Sequence, residues 1–402
     1  MARKRNILGE CKMVAGLILL CCAYVLSQFF RAFLAVLSTV LQQDVGAGPD
    51  DLAVASGLWF LTFAAMQIPI GWALDKFGPR RTASSLLLIG GGGGALLFAM
   101  ATTPLHINVA MGLIGIGCAP LLMASYYIFA RQFPARQFAT LGAVMIGVGS
   151  VGNLVASYPM AWAAETIGWR ASLMGLAGIA SVIAIGVFFL VKDPPALEQD
   201  VKGSLRDLFR IPALWPIFPL MFFNFAPSGA VRGLWIGPYL SDVYGMDTGQ
   251  VGQATLVMGC AMIAGTLLYG PLDRIFGTQK GVILLGNLGC GLVCLGLAFF
   301  AGSGVALAIV LLALLGLLGA SFPVMIAHAR AFFPTHLMGR GVTLMNLFGI
   351  GGAAVMQFAS GRLHTQFQGD IPETGYAAIF AFFGLSVLLG VLIYLFSRDA
   401  KD

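Results

Sequence analysis

Acidic side chains are scarce in this chain, and those present stay out of its apolar runs. Of 402 residues only 17 are Asp or Glu and four are His, and charged residues make up 10% of the whole. Each carboxylate, from Glu10 to Asp402, falls near or beyond the end of an apolar run rather than deep inside one. That distribution excludes a proton relay built from buried acids, and it offers no paired carboxylates for general acid and base chemistry. The seven cysteines, Cys11, Cys21, Cys22, Cys118, Cys260, Cys290 and Cys294, include none in an external loop and none at a CxxC or Cys/His spacing. Neither a disulfide framework nor a metal site is expected. No nucleophile with a base stands out, so no enzyme and no cofactor are expected.

What the chain has instead is apolar length. Hydrophobic residues account for 58% of it, and the mean hydropathy is +0.89, far from a soluble domain. Runs long enough to cross roughly 30 Å of hydrocarbon as helix fall near 13–41, 52–74, 82–102, 106–130, 138–163 and 170–191. A second set falls near 213–240, 249–272, 281–301, 304–329, 341–362 and 375–396, which predicts twelve transmembrane helices. The runs lack the alternation of a barrel, so helices must satisfy the backbone. Met1 to Tyr24 has the look of a signal peptide, but apolar sequence continues to Leu41 without a small-x-small cleavage site, and an uncleaved first helix is expected.

All but four of the 23 Lys and Arg fall in alternate loops and the two tails, which predicts both termini on the cytoplasmic side of a bacterial inner membrane. The net charge of +6 is therefore topogenic, and no nucleic-acid partner is implied. Arg170 and Arg362 fall on the other side. Arg31 and Arg232 lie within apolar runs.

The two sets of six runs repeat. "ARQFP" at Ala130 to Pro134 recurs as "ARAFFP" at Ala329 to Pro334, and "GWALDKFG" at Gly71 to Gly78 is echoed by "GPLDRIFG" at Gly270 to Gly277. The offsets of Asp75 to Asp273, Gly152 to Gly352 and Arg31 to Arg232 are 198, 200 and 201. The domain organisation predicted is a bundle over 1–191, a charged linker over 192–212 and a second bundle over 213–402. Within the linker Val201, Leu205, Leu208 and Phe209 share a helical face, the pattern of a helix lying on the cytoplasmic surface.

These features resemble the major facilitator superfamily. "GWALDKFGPRR" matches that family's loop motif between helices 2 and 3 at Asp75, Lys76, Gly78, Arg80 and Arg81, with Pro79 interposed, and the second copy keeps Asp273, Arg274 and Gly277. The resemblance implies an all-α fold of two pseudo-symmetric six-helix bundles, and a gating role for Gly71, Asp75, Lys76, Arg80, Arg81, Asp273 and Arg274. Gly71 is expected to allow close helix packing, and Asp75 to pair with basic groups in one bundle arrangement and release them in the other. For Arg80 and Arg81 simple topogenic charge stands beside that reading. "GGGGG" at Gly90 to Gly94 follows no strand and is expected to serve helix packing or bending.

An arginine at mid-membrane costs about 2.5 to 3.5 kcal/mol on an insertion scale, and no acidic residue is placed to pair with either copy. A transported anion would fill that role. Arg31, near the external end of its helix, could instead snorkel outward. In the superfamily helices 1, 4, 7 and 10 line the central cavity, so the resemblance places Arg31 and Arg232 facing each other across it. The pair, with Tyr24, resembles the organic phosphate and organic anion branch, although the Lys and His of phosphate antiporters are replaced here by Trp59, Gln67, Ser150 and Asn153. Further cavity candidates are Gln28, Trp59, Tyr126, Tyr127, Asn224, Trp235, Tyr239, Asn346 and Gln357. Each aromatic among them could equally be packing or interface belt, and Asn346 and Gln357 could equally bond helices together. His328 is a candidate proton carrier. The function expected is alternating-access transport of a small organic anion, carboxylate or phosphorylated, by exchange, uniport or symport. The partners expected are that solute, lipid, and a proton or counter-anion, with the protein a monomer. The alternative is an exporter of amphipathic or drug-like compounds, which predicts an acidic or largely apolar cavity.

Overall fold

The computed structural model describes residues 2–194, 205–334 and 337–399, and it is helical almost throughout, with no strand among those residues. Eleven stretches are long and apolar enough to cross a membrane by length and composition. A twelfth, Pro49–Ala65, has 17 residues and continues past Met66 into Gln67–Leu86. Gly78, at φ +82°, ends that second span and starts the third. An added Cβ there would lie 2.6 Å from the Asp193 carboxylate, so both backbone angle and space demand glycine.

Several spans are interrupted. The first runs as Ala2–Phe30 and Leu34–Val45 around Arg31, the fifth as Ala135–Val155 and Tyr158–Thr166, and the seventh as Ile217–Ala230 and Ile236–Tyr244 with a π-helical turn at Val231–Trp235. The remaining spans are Pro104–Cys118 with Pro120–Gln132 (fourth), Trp169–Leu190 (sixth), Thr248–Phe276 (eighth) and Gln279–Phe299 (ninth). Val305–Leu318 with Phe322–Arg330 (tenth), Met338–Phe367 (eleventh) and Glu373–Tyr394 (twelfth) complete the set. Phe189, Leu267 and Phe299 are 72%, 72% and 82% exposed, an apolar exterior that suits hydrocarbon and not water.

Glycine sets how closely the helices approach, and it does so twice by the same rule. A Cβ on Gly152 of the fifth span would lie 2.0 Å from the Val25 carbonyl oxygen of the first. Its repeat mate Gly352, in the eleventh span, stands 2.0 Å by the same measure from the Phe222 carbonyl oxygen of the seventh. Gly90 and Gly94 likewise rest on the backbone of the fourth span, as the glycine run predicts.

The halves meet at the end of the molecule away from the chain termini. Thr39 and Ser241 share a hydrogen bond of 2.8 Å, and the Asp50 carboxylate accepts from His364 Nδ1 at 3.1 Å and Thr365 Oγ1 at 2.6 Å. Gly237 lets the seventh span sit on the Ala35 carbonyl of the first. That end is shut.

Of the expected linker helix only Leu205–Phe209 lies within the described residues, and Val201 and Lys202 lie outside them. Leu208 is fully buried, while Phe209 packs with Phe218 and Phe348. The described part of the helix therefore packs its apolar face on the second bundle. Gly152→Ala and Gly352→Ala each force overpacking, for which about 1 to 3 kcal/mol of destabilisation is expected; thermal unfolding in detergent should show both below the parent, and unchanged midpoints would contradict the packing described.

Candidate functional site

Arg232 sits on the π-helical turn of the seventh span, 3% exposed, and reaches across to the other half. Its reception there follows from the break in the fifth span. Pro159 has no N–H, and the helix gives way just before it, so that the Ser157 amide bonds to the Leu154 carbonyl instead of to that of Asn153. The Asn153 oxygen is left at the carboxyl end of Ala135–Val155, where helix dipoles favour a cation. Arg232 Nη2 donates to that oxygen at 2.5 Å and to Ser157 Oγ at 3.1 Å, while Nη1 donates to Asn153 Oδ1 at 3.1 Å. Gly259 of the eighth span makes room, since a Cβ there would stand 3.0 Å from Nη2.

Arg31 is treated differently. It occupies the break in the first span, where the amides of Ala32 and Phe33 both turn back to the Phe29 carbonyl. Its guanidinium lies 5.1 Å from the Trp59 ring centre, 5.7 Å from that of Phe63 and 5.8 Å from that of Phe225. Arg31 Nε is buried with no hydrogen-bond partner, and no acidic group pairs with Arg31 among the described residues. Hydrogen bonds to a charged group contribute about 1.5 to 3 kcal/mol each, and cation–π contacts about 0.5 to 2. Three of the former surround Arg232 and only the latter surround Arg31. Arg31 is the less compensated cation.

Both arginines line one cavity of about 180 Å³ between the halves, with Gln28, Ser150, Asn153, Phe225 and Phe322 also in its wall. Tyr24 is buried beside it and accepts a hydrogen bond from Gln28 at 3.3 Å, its ring packed on Gly149. Trp59 stacks on Phe63 and is 1% exposed, with its Nε1 unpartnered. Gln357 is fully buried with both amide atoms unpartnered, away from that wall.

Four predicted cavity residues are held elsewhere. Tyr127 donates to Asp75 at 3.0 Å, stacked under Arg131. Asn224 bonds to Asn287 and Ser321 within the second bundle, Trp235 donates to Ser360 at 2.9 Å, and Tyr239 donates to the Ala301 carbonyl at 2.7 Å. Asn346 is half-buried and lies off the cavity wall, and Tyr126 packs near Gly142. His328 is fully buried between Tyr394 and the Arg398 carbonyl, inside one half and away from the cavity. Its place between two spans of one bundle is that of a packing group.

In the loop after the second span, Asp75 accepts from Tyr127 and pairs with Arg131 at 3.5 Å, so its partners come from the fourth span and not from its own loop. Arg80 holds Asp193 through its amide at 2.8 Å and its Nε at 3.5 Å. Lys76 lies over Trp72, and Arg81 is exposed. Gly71 does not carry the close packing expected of it: a Cβ there would meet nothing within 4 Å, and Gly78 is the glycine that the loop requires. The side chains of Asp273 and Arg274 lie outside the described residues.

A sequence profile described as Major Facilitator Superfamily matches residues 20–259 and 230–402. The chain belongs to that superfamily. Its fold resembles the crystal structure of a D-xylose-proton symporter, with a TM-score of 0.79 at 15% identity over 96% of this chain and 98% of the other. Among curated relatives, a probable sulfoacetate transporter of Cupriavidus necator is 24% identical over 66% of this chain and 65% of its own length. The match to that relative thus spans just under two thirds of it. A putative tartrate transporter of Agrobacterium vitis is 21% identical over 94% of this chain and 93% of its own. Superfamily membership makes this a multi-pass membrane protein, and its relatives are transporters, not enzymes.

Sequence reasoning missed Ser157, Phe63, Phe225 and Gly259, and the Asp50–His364 pair at the shut end. A proline two residues after the serine, Pro159, is the available signal for the first. Desolvation raises the Asp50 carboxyl, but hydrogen bonds from His364 and Thr365 and the attraction of His364 outweigh it and hold its pKa below the ordinary value. A lowered folded pKa contributes stability that is complete above the unfolded value and lost as pH falls through the folded one. Thermal unfolding of the parent and Asp50→Asn should therefore differ at neutral pH and converge at the acid end; an offset that persists unchanged into acid would contradict it.

Proposed function

We propose that the chain carries a small organic anion, carboxylate or phosphorylated, across the bacterial cytoplasmic membrane by alternating access, with the anion held between Arg31 and Arg232. The observation that carries this reading is the cavity between the halves, lined by both guanidiniums and by no carboxylate among the described residues. Two cations in so small a space repel each other, and an anion between them turns that repulsion into two attractions. Arginine suits the task because its planar fork meets a carboxylate or phosphate oxygen pair with two parallel donors. The relatives' names, sulfoacetate and tartrate, are both of small organic anions.

The basic residues in alternate loops favour both termini on the cytoplasmic side. The shut end is then external. Residues 1–191 and 213–402 rock as units about the site, joined by 192–212, while the Asp75–Arg131 and Arg80–Asp193 pairs brace the loop on the cytoplasmic side. The protein acts on its solute as a monomer in lipid, with a proton or counter-anion as the coupled partner.

Counterflow in proteoliposomes with labelled sulfoacetate, tartrate, a monocarboxylate, a sugar phosphate and a lipophilic cation tests the reading. Uptake of at least one anion is expected, falling by about two orders of magnitude in Arg31→Gln and Arg232→Gln, since loss of a buried charge partner costs about 2 to 5 kcal/mol. Anion uptake that survives both substitutions, or transport of the cation alone, would overturn it and favour the exporter.

A further inference from the structure

The two arginines differ in what they must give up to meet an anion. Arg31 has only ring faces against its guanidinium, so an anion entering the cavity displaces no hydrogen bond from it. Arg232 already donates from both terminal nitrogens, three bonds in all, to Asn153 and Ser157 of the opposite half, while its Nε, like that of Arg31, is buried without a partner. Its bonds therefore do two things at once. They neutralise a buried cation, and they tie the seventh span to the fifth.

The tie is built at three levels of the sequence. The fifth span is interrupted before Pro159, the Ser157 amide turns to Leu154 so that the Asn153 carbonyl accepts the Ser157 hydroxyl in place of an amide, the Ser157 oxygen accepts from Arg232, and Gly259 leaves room for the guanidinium. Asn153 and Ser150 also line the cavity, so an anion seated on Arg31 arrives within the same enclosure as the tie. A carboxylate or phosphate oxygen is a stronger acceptor for a guanidinium than an amide or hydroxyl oxygen, so exchange of partners is favourable.

Resting on the anion reading above, we propose that Asn153 and Ser157 are positioning residues that hold Arg232 as stand-ins for the substrate. In the empty carrier they clamp the two halves in the state shut at the end away from the termini, and a bound anion takes Arg232 from them and releases the clamp. The order of events follows: the anion meets Arg31 first and recruits Arg232 second. An empty carrier held this way reorients slowly, which favours exchange of one anion for another over net flow.

The test begins without any anion. In a background free of native cysteine, Thr39→Cys and Ser241→Cys report closure of the shut end through their crosslinking rate, and Thr62→Cys with Gly112→Cys, both in the first half and with a Cβ on Gly112 3.7 Å from the Thr62 methyl, serve as the control pair. Asn153→Ala with Ser157→Ala is expected to slow crosslinking of the first pair about tenfold, a typical effect for loss of hydrogen bonds to a charged group, and to leave the control pair alone. Arg232→Gln should do the same, and combining it with the double substitution should add nothing further. Unchanged crosslinking, or effects that simply add, would overturn the clamp. Anions from the counterflow panel then test displacement: one that counterflows should slow crosslinking in the parent and not in Asn153→Ala/Ser157→Ala, whose net efflux should rise relative to exchange. A transported anion that leaves the parent's crosslinking unchanged would overturn the displacement. Failure of every anion to counterflow would instead refute the substrate class, while the anion-free result would still decide the clamp.

Discussion

A guanidinium inside a membrane must be compensated, and this chain holds two of them without an acidic partner among its described residues. Everything distinctive about the centre of the molecule follows from that constraint. One cation is met by the faces of Trp59, Phe63 and Phe225, the other by a carbonyl, an amide and a hydroxyl gathered at a broken helix. Neutral groups suffice to hold the charges in place. They do not cancel them, and the cavity between the halves keeps a positive field.

Breaks in the helices are where the chemistry is placed. Arg31 lies in the interruption of the first span, Arg232 in the π-helical turn of the seventh, and Asn153 just before the interruption of the fifth. A continuous helix satisfies its own carbonyls and has none to offer; a broken one exposes them where a ligand or a cation can use them. Glycines at Gly152, Gly352 and Gly237 draw the backbones close around these points, and the repeat supplies the first two at equivalent positions. The fold is thus two copies of one packing rule, with the differences between the copies concentrated at the site.

Much of this is legible in the sequence. Apolar runs showed the spans, the repeat showed two bundles, and the loop motif showed the superfamily. The two arginines stood out because polarity in an apolar run is easy to see. Direction is not. Central helices are buried on every face, so periodicity does not say which way Asn224, Trp235 or Tyr239 points, and each proves to be hydrogen-bonded within its own bundle. Neither arginine has a carboxylate partner in the sequence, but a carbonyl that loses its amide at a helix break, as that of Asn153 does, leaves no mark in residue type. Gly71 was credited with packing because it opens the motif, whereas the positive φ that makes glycine obligatory belongs to Gly78. His328 drew notice as a histidine near a span end, but it is His364 that meets a carboxylate across the halves.

Anion transport by this chain requires an anion in the space between Arg31 and Arg232. Selenate, a divalent oxyanion whose selenium scatters anomalously, locates that space directly. Crystals of the purified protein grown with selenate should show an anomalous peak bridged by the two guanidiniums, with the Asn153 and Ser157 oxygens no longer bonded to Arg232. A cavity without that peak, in a protein whose arginines keep the partners described here, would contradict the account.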